Sequence, residues 1–151
     1  MADILTVEQR SRNMSAIKSR RTKPETFLRH ELFIRGYRFR VNVSYIPGHP
    51  DIFLRKYNLA IFVNGCFWHR HQGCKYSYMP KSNTAFWEKK FEANILRDDN
   101  VRKDLHLQGI RQMVVWECFI DRIARNAQLK DSGISLLEEM ISSTEDYMVI
   151  E

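Results

Sequence analysis

The sequence is poor in cysteine and contains no long apolar segment. Its 151 residues include three cysteines, an odd number, and no secretory leader opens the chain, so we do not expect disulfides. No apolar run approaches the length that crosses a membrane. The sequence also lacks internal repeats and low-complexity linkers. These features argue against secreted, membrane-spanning and repeat proteins, and the length favours a single domain.

The charge of the chain is positive and unevenly distributed. The formal net charge is +6 and the pI is near 9.4, which suggests a polyanionic partner. Residues 1–40 carry ten Lys/Arg against four Asp/Glu, whereas residues 131–151 carry six Asp/Glu and no Lys/Arg. A solvated surface explains any single cation, but not this asymmetry. We therefore expect the binding face within the first 130 residues and an acidic tail that points away from it.

One segment, residues 61–74, combines metal ligands with aromatic residues. A strand-like run breaks at an Asn-Gly pair, which tolerates the backbone angles of a sharp turn. Cys66, His71 and Cys74 follow with the spacing Cys-x4-His-x2-Cys. Zinc prefers four tetrahedral thiolate or imidazole ligands, and Cys118 is the natural fourth. The alternative is a set of buried free thiols and core histidines, but a loop with glycine and arginine is a poor place to bury two cysteines.

The remaining segments alternate between helical and strand patterns. The first predicted elements are a helix that begins with a capping box at Thr6 and reaches Arg21, and a helix from Pro24 to Gly36. Strands at 38–43, 51–54 and 59–63 follow, and then a long helix at 85–107 and a strand at 110–118. The last elements are helices at 121–128 and 135–142, the second of which begins with a capping box at Ser135. This order predicts an α/β domain with a central mixed sheet flanked by helices. We divide it into a basic helical arm (1–22), a core with the zinc loop 64–74 (23–130), and an acidic helix and tail (131–151).

Several motifs together indicate a family. A Pro-Asp pair places Asp51 at the start of the middle strand, as in the PD-(D/E)xK nucleases. Three further motifs are Gly-Cys-Phe-Trp-His at 65–69, Ala-Phe-Trp-Glu at 85–88 and Val-Trp-Glu-Cys at 115–118. With these motifs the chain resembles the very short patch repair (Vsr) endonucleases from about Arg10 to Cys118. The resemblance implies a restriction-endonuclease-like, PD-(D/E)xK-type fold with a structural zinc site.

The resemblance also implies an activity and its residues. Vsr endonucleases are magnesium-dependent and nick double-stranded DNA 5′ of the thymine in a T:G mismatch, which arises when 5-methylcytosine deaminates. Asp51 matches the magnesium-binding aspartate, His69 the catalytic histidine and Glu25 an assisting acid. Mg²⁺ prefers carboxylate oxygens, and imidazole can activate water near neutral pH. For Glu25 the alternative is a purely structural role, in which the dipole of its helix favours a carboxylate in the first turn.

Aromatic and basic residues are the predicted DNA contacts. Phe67, Trp68 and Trp87 match the aromatics that wedge into the base stack, although Phe67 and Trp68 have the alternative of packing beneath the loop. We expect Trp87 to be exposed to solvent in the free protein. Met14 is either a wedge in the opposite groove or an anchor of the arm to the core. The basic residues expected to hold phosphates include Arg12, Lys18 and Arg20.

Val63 and Asn64 depart from the family pattern, in which a hydroxyl residue and then a histidine or acid precede the glycine. Val63 can offer magnesium only its backbone carbonyl, and Asn64 only an amide oxygen. Neither is an efficient general base. The departure is consistent with a subfamily that relies more on His69.

Three functions therefore remain open at the level of sequence. The first is a mismatch-nicking enzyme, the second is a Vsr-fold nuclease of restriction or homing type that cuts paired DNA, and the third is a zinc-stabilised DNA-binding module with weakened catalysis. A zinc hydrolase is less consistent with the sequence, because it needs an open zinc position. The family implies a monomer in the bacterial cytoplasm with a functional link to a cytosine-5 DNA methyltransferase.

Overall fold

The computed structural model describes residues 6, 8, 9 and 22–151. The predicted DNA contacts Met14, Arg12, Lys18 and Arg20 lie outside these residues. The capping box at Thr6 is confirmed by two reciprocal hydrogen bonds. The Thr6 N–H donates to Gln9 Oε1 at 2.9 Å, and the Gln9 N–H donates to Thr6 Oγ1 at 3.1 Å.

A five-stranded mixed sheet forms the centre of the domain. Its strands, in spatial as well as chain order, are β1 (Arg40–Val41), β2 (Ile52–Leu54), β3 (Leu59–Asn64), β4 (Arg111–Trp116) and β5 (Tyr147–Ile150). The first three strands are antiparallel, while β4 and β5 add in parallel to β3. This architecture confirms the predicted α/β domain with a mixed sheet. Because parallel neighbours need long crossovers, helices connect β3 to β4 and β4 to β5.

Within residues 22–151, four α-helices flank the sheet. They are α1 (Lys23–Ile34), α2 (Thr84–Leu107), α3 (Glu117–Arg125) and α4 (Ala127–Ser142), and a 3₁₀ turn at Arg55–Tyr57 joins β2 to β3. Thr22 caps α1 by accepting a hydrogen bond from the Glu25 N–H, and Gly36 follows it with φ +91°. Among the described residues, no helix has both the length and the apolar character needed to cross a membrane.

Alternation along β3 divides the core between the two faces of the sheet. Leu59 and Ile61 pack with residues of α1, α3 and α4 on one face. Ala60 and Phe62 pack on the other face, against Leu105 of α2. Asn64, the last residue of β3, continues the alternation of Ala60 and Phe62. It therefore lies on the face of the sheet that α2 covers.

Several predicted element boundaries are wrong. The strand predicted at 38–43 shrinks to β1, because Asn42 has φ +48° and leaves the extended conformation. The strand predicted at 110–118 ends at Trp116, so Cys118 lies in the first turn of α3. The capping box at Ser135 lies inside α4. The cap of α4 is Asn126, whose side chain accepts hydrogen bonds from the N–H groups of Gln128 and Leu129.

The acidic C-terminal segment also differs from the predicted tail. Its last residues form β5, which pairs with β4 and buries Met148 and Ile150. Residues 131–151 are acidic overall, but Tyr147 to Ile150 form a continuous run of four apolar residues, and this run forms the strand. The segment therefore completes the sheet and reaches the zinc loop.

Candidate active site and metal centre

Asp51 is held at the start of β2 by contacts to two other elements. The Val63 N–H of β3 donates to Asp51 Oδ2 at 2.7 Å. The Arg29 guanidinium of α1 donates to the Asp51 carbonyl at 2.8 Å. In a strand, the N–H and C=O of one residue point to the same side. The Val63 carbonyl therefore points to the same side of β3 as its N–H, toward Asp51; the pairing of these two groups on magnesium stays a prediction.

The electrostatic surroundings of Asp51 favour a cation. Burial, reinforced by the charge of Glu25, raises the pKa of Asp51 from 3.8 to about 6, although the Val63 hydrogen bond, Arg29 and His69 oppose the increase. Glu25 itself is buried and lies 3.7 Å from the Arg29 guanidinium. Ionisation of two neighbouring buried carboxylates is unfavourable in free energy, and a divalent cation bound beside them offsets that unfavourable free energy. The donor set fits Mg²⁺, which takes carboxylate and carbonyl oxygens.

His69 is oriented by an acid that the sequence analysis missed. Its Nδ1 lies 2.7 Å from Asp98 Oδ2 on α2. With the Nδ1–H donating to that carboxylate, Nε2 is left to accept a proton. Both side chains, together with Asn64, line an open cleft of about 430 Å³ between α2 and the sheet. Asp51 and Glu25 do not line this cleft, but the charges of both Glu25 and His69 act on Asp51.

The four predicted zinc ligands converge. The ligand atoms of Cys66, His71, Cys74 and Cys118 all lie within 4.8 Å of one another. His71 Nδ1 is 3.6 Å from the Cys66 sulfur and 3.4 Å from the Cys118 sulfur. A tetrahedral zinc with bonds of about 2.3 Å to sulfur and about 2.0 Å to nitrogen holds its ligand atoms about 3.5 Å apart. The geometry and the donor chemistry therefore fit a structural zinc ion.

The electrostatics of the thiols in this cluster also favour a bound cation. Burial raises the pKa of Cys66 and of Cys118, and the charge of Cys74 adds to the increase at both thiols. Ionised thiolates packed this closely repel one another unless a positive ion lies between them. The cluster could thus hold a metal such as zinc, and binding would release protons.

Comparison with known proteins decides the family. The family model described as DNA mismatch endonuclease Vsr matches residues 2–75. The type II nicking enzyme V.NmeAIP of Neisseria meningitidis is 44% identical over 118 residues, 78% of this chain and 84% of that protein. V.XorIIP of Xanthomonas oryzae, another type II nicking enzyme, is 40% identical over 132 residues, 87% and 96% of the two chains. DNA mismatch endonuclease Vsr of Escherichia coli is 40% identical over 118 residues, 78% and 75%.

The chain belongs to the Vsr family of DNA mismatch endonucleases. The resemblance inferred from the motifs is therefore confirmed. Family membership makes the chain a DNA endonuclease. It leaves the roles of individual residues as predictions, which the geometry around them must support.

The aromatic residues predicted for this Vsr-family protein form one cluster, but Trp87 is not exposed. Phe67 lies 5.1 Å from Trp68 and 5.4 Å from Trp87, measured between ring centroids. Trp87 is only 8% exposed because it packs on the inner face of α2, stacked on Phe91 one turn later. The expectation of a solvent-exposed Trp87 is therefore wrong. The exposed ring at this end of α2 is its neighbour Phe86, at 60%.

A single stripe of α2 positions the zinc loop. We call Trp87, Phe91, Asn94 and Asp98 the α2 stripe, because their spacing of four, three and four residues places them on one helical face. Phe67 packs on its aromatic half. Asn94 donates to the Trp68 carbonyl at 3.0 Å, and Asp98 contacts His69. The stripe thus contacts three consecutive residues of the loop.

Loss of one zinc ligand should lower both metal content and stability. We expect Cys118→Ser to take up less than one zinc per chain and to melt about 5 °C lower or more, since a structural zinc contributes folding free energy directly. Metal analysis and thermal melts of purified protein measure both effects. Gln72→Ala, an exposed position in the same loop, is the control. An experimental structure with the Cys118 sulfur more than ~3 Å from the metal would contradict the assignment.

Removing the charge of Asp51 should stabilise the protein when no Mg²⁺ is present. Because the folded-state pKa of about 6 exceeds the ordinary 3.8, Asp51 destabilises the fold progressively as pH rises from about 4 to about 6, and the full loss of stability is reached above pH 6. Asp51→Asn should therefore be more stable than the parent at pH 7.5, by on the order of 2–3 kcal/mol. The difference between the two proteins should shrink toward pH 5. Denaturant unfolding at several pH values measures this difference in the free energy of unfolding. Asp131→Asn, at an exposed position, is the control. A difference that does not change with pH would contradict the raised pKa of the buried Asp51.

Proposed function

We propose that this Vsr-family endonuclease nicks double-stranded DNA on the 5′ side of the thymine in a T:G mismatch. One observation carries the proposal: the zinc loop carries the predicted catalytic His69, the aromatic pair Phe67 and Trp68, and three of the four zinc ligands, and the α2 stripe contacts the histidine and the aromatic pair. A closed zinc site would keep the histidine and the aromatic pair in a fixed relation. The name of the Escherichia coli relative, DNA mismatch endonuclease, supports the same activity.

The proposed chemistry assigns a separate task to each residue. Asp51 and the Val63 carbonyl would hold Mg²⁺, and Glu25 would add negative charge behind Asp51. When bound, Mg²⁺ supplies polarisation of the phosphoryl oxygen, activation of water and neutralisation of developing charge. His69 accepts the proton of the attacking water at Nε2, while Asp98 keeps the ring oriented. Asn64 lines the cleft beside His69 but has no basic group, so it serves at most to bind or orient water.

The proposed fold class is that of the PD-(D/E)xK nucleases. The element order supports it: one helix, three antiparallel strands, a long helix and a parallel strand, with Asp51 at the start of the middle strand. We retain the division into a basic arm (1–22), a core (23–130) and an acidic C-terminal part (131–151). The acidic part contributes β5 to the same sheet, so we treat all three as parts of one domain.

Mismatch recognition is proposed to rest on the aromatic cluster. A mismatched step costs less to unstack than a paired one, so a ring inserted beside it discriminates between them. Phe67 and Trp68 are half-buried and supported from below by Trp87. In this arrangement Trp87 acts as a support for the inserted rings. Met14, Arg12, Lys18 and Arg20 are proposed to contact the opposite groove and the phosphates.

Truncation of an inserted ring should weaken mismatch binding. We expect Trp68→Ala to reduce affinity for a T:G duplex by roughly 1–3 kcal/mol, the usual contribution of an aromatic residue that stacks on a base. Affinity for the matched T:A duplex should change much less. Fluorescence anisotropy with both duplexes measures the difference. Exposed Tyr45→Ala is the control, and equal losses on the two duplexes would contradict a role in recognising the mismatch.

The proposal is tested by comparing DNA substrates. Duplexes that differ only in a central T:G, T:A or C:G pair are incubated with Mg²⁺, over a library of flanking sequences. Nicking confined to T:G supports the proposal. Equal nicking of the paired duplexes would favour a site-specific nicking enzyme, a reading consistent with the names of two relatives. Binding without any nicking would favour a DNA-binding module, as the Val63-Asn64 departure allows.

The proposal also implies partners. T:G mismatches arise from deaminated 5-methylcytosine, so a cytosine-5 DNA methyltransferase with the same recognition sequence would create the substrate. We propose that the enzyme acts as a monomer, since one chain supplies all of the groups assigned above. The flanking sequence that supports the fastest nicking would identify the matching methyltransferase specificity.

A further inference from the structure

His71 has a contact that the predicted set of zinc ligands does not explain. Its Nε2 lies 2.6 Å from Oε2 of Glu151. The His71 side chain is 9% exposed, whereas the Glu151 side chain is 61% exposed. A carboxylate that is free to extend into solvent is instead placed against the one imidazole of the zinc cluster. Its position calls for a function.

The contacts of the His71 ring define its chemical state. Nδ1 faces the sulfurs of Cys118 and Cys66, at 3.4 and 3.6 Å, so Nδ1 is the nitrogen that would bind zinc. A nitrogen that binds zinc offers its lone pair, so the ring proton must be on Nε2. The Nε2–H then donates to Glu151. A stacking contact with Trp116, at 4.2 Å and 8° between the rings, fixes the ring plane.

The parallel pairing of β4 and β5 places these groups together. Val115 of β4 is opposite Ile150 of β5, so Trp116 and Glu151 follow at the same end of the sheet. Two residues after Trp116, the chain supplies Cys118. The ends of β4 and β5 thus provide one zinc ligand, the ring stacked on His71 and the acceptor for its Nε2–H.

We propose that Glu151 is a positioning residue of the zinc site, through which β5 stabilises the zinc loop. It accepts the Nε2–H hydrogen bond, fixes the tautomer that presents Nδ1 to the metal, and so increases zinc affinity. The inference rests on the proposed zinc site. An acceptor on the second nitrogen is a common feature of histidine ligands, and its loss typically weakens metal binding.

The test measures zinc affinity in the full chain by competition with a chelator. Glu151→Ala should bind zinc about 10–100-fold more weakly than the parent. Glu151→Gln should recover much of the affinity, because its amide oxygen still accepts the hydrogen bond. Glu139→Ala, an exposed acid on α4, is the matched control and should leave the affinity unchanged.

Two further measurements separate positioning from a general effect on stability. Without zinc, the thermal stability of Glu151→Ala should match that of Glu139→Ala. In ¹⁵N-histidine spectra of the zinc-loaded protein, the Nε2–H signal of His71 should be present in the parent and in Glu151→Gln, and lost through exchange in Glu151→Ala.

The outcomes distinguish this inference from the zinc site beneath it. Unchanged affinity in Glu151→Ala, with zinc bound stoichiometrically by the parent, would overturn the role of Glu151 alone. A ring protonated on Nδ1 in the zinc-loaded parent would overturn both the role of Glu151 and the assignment of Nδ1 as the zinc ligand. If the parent takes up no zinc, the site and the inference both fail.

Discussion

Replacement of Asp51 by alanine is expected to abolish Mg²⁺-dependent nicking while DNA binding persists. At the start of β2 the Asp51 carboxylate accepts a hydrogen bond from the Val63 N–H, and its burial beside Glu25 makes a bound cation favourable. Loss of metal-assisted charge stabilisation removes several kcal/mol, which corresponds to a rate reduction of about 10³-fold or more. Single-turnover nicking of a T:G duplex measures the rate, and anisotropy without Mg²⁺ measures binding.

The zinc content provides an internal check on this variant. Asp51 lies outside the zinc cluster, so Asp51→Ala should retain one zinc per chain and should bind the T:G duplex about as well as the parent. Asp131→Ala, an exposed acid on α4, should nick at the parental rate. Undiminished nicking by Asp51→Ala would move the active site elsewhere and would remove the basis for every catalytic role proposed here.

Replacement of His69 by alanine is expected to slow nicking by about 10²–10⁴-fold, the typical contribution of a general acid–base. Binding should again persist, since the imidazole acts on the attacking water. Asp98→Ala should produce a smaller loss, because the imidazole remains but its Nδ1–H partner is gone. It should also change the pH dependence of the rate, which a general loss of stability would not do. Measured pH–rate profiles of the three proteins test both statements.

Two control variants test whether the expected losses are specific to His69 and Asp98. Asp99→Ala alters the exposed acid next to Asp98 and should leave the rate unchanged. Asn64→Ala should cost less than His69→Ala, because Asn64 carries no base. If Asn64→Ala were as damaging as Asp51→Ala while Asn64→Asp remained active, Asn64 would instead be a magnesium ligand. Equal rates for His69→Ala and the parent would contradict the general-base role.

Local signals explain which parts of the structure could be predicted from the sequence. The long helix was predicted from the possible N-caps in the loop before it and from Gly109 after it, and the predicted bounds are confirmed to within one residue. The zinc cluster could be predicted because thiols and imidazole at short spacing have few structural alternatives. The strand from Leu59 was recognised because it is continuously apolar, as expected for a strand buried on both faces.

The missed features depend on contacts between distant segments. Asp98 is one of two adjacent acids, and only the contact with His69 distinguishes it from Asp99. A signal was nevertheless present, because Asn94 and Asp98 continue the helical spacing that begins at Trp87 and Phe91. Polar residues that extend an apolar stripe toward a predicted site are candidates for contacts with that site. The same spacing explains why Trp87 is buried.

The C-terminal strand was missed for a different reason. Net charge dominated the prediction for residues 131–151, although strand formation depends on the short apolar run from Tyr147 to Ile150. Met148 and Ile150 reach the core, and the acids that made the segment appear tail-like lie outside the strand itself. Glu151 follows the strand directly and contacts His71, so the segment belongs to the metal centre.

The most direct test of the central claim is to map the nick on a T:G duplex labelled separately on each strand. With Mg²⁺, the account predicts one nick, on the thymine strand, at the phosphate 5′ of the mismatched thymine. The guanine strand should remain intact, and the matched T:A duplex should not be cut. A nick of equal rate in the matched duplex, or cleavage of both strands, would contradict the proposed function.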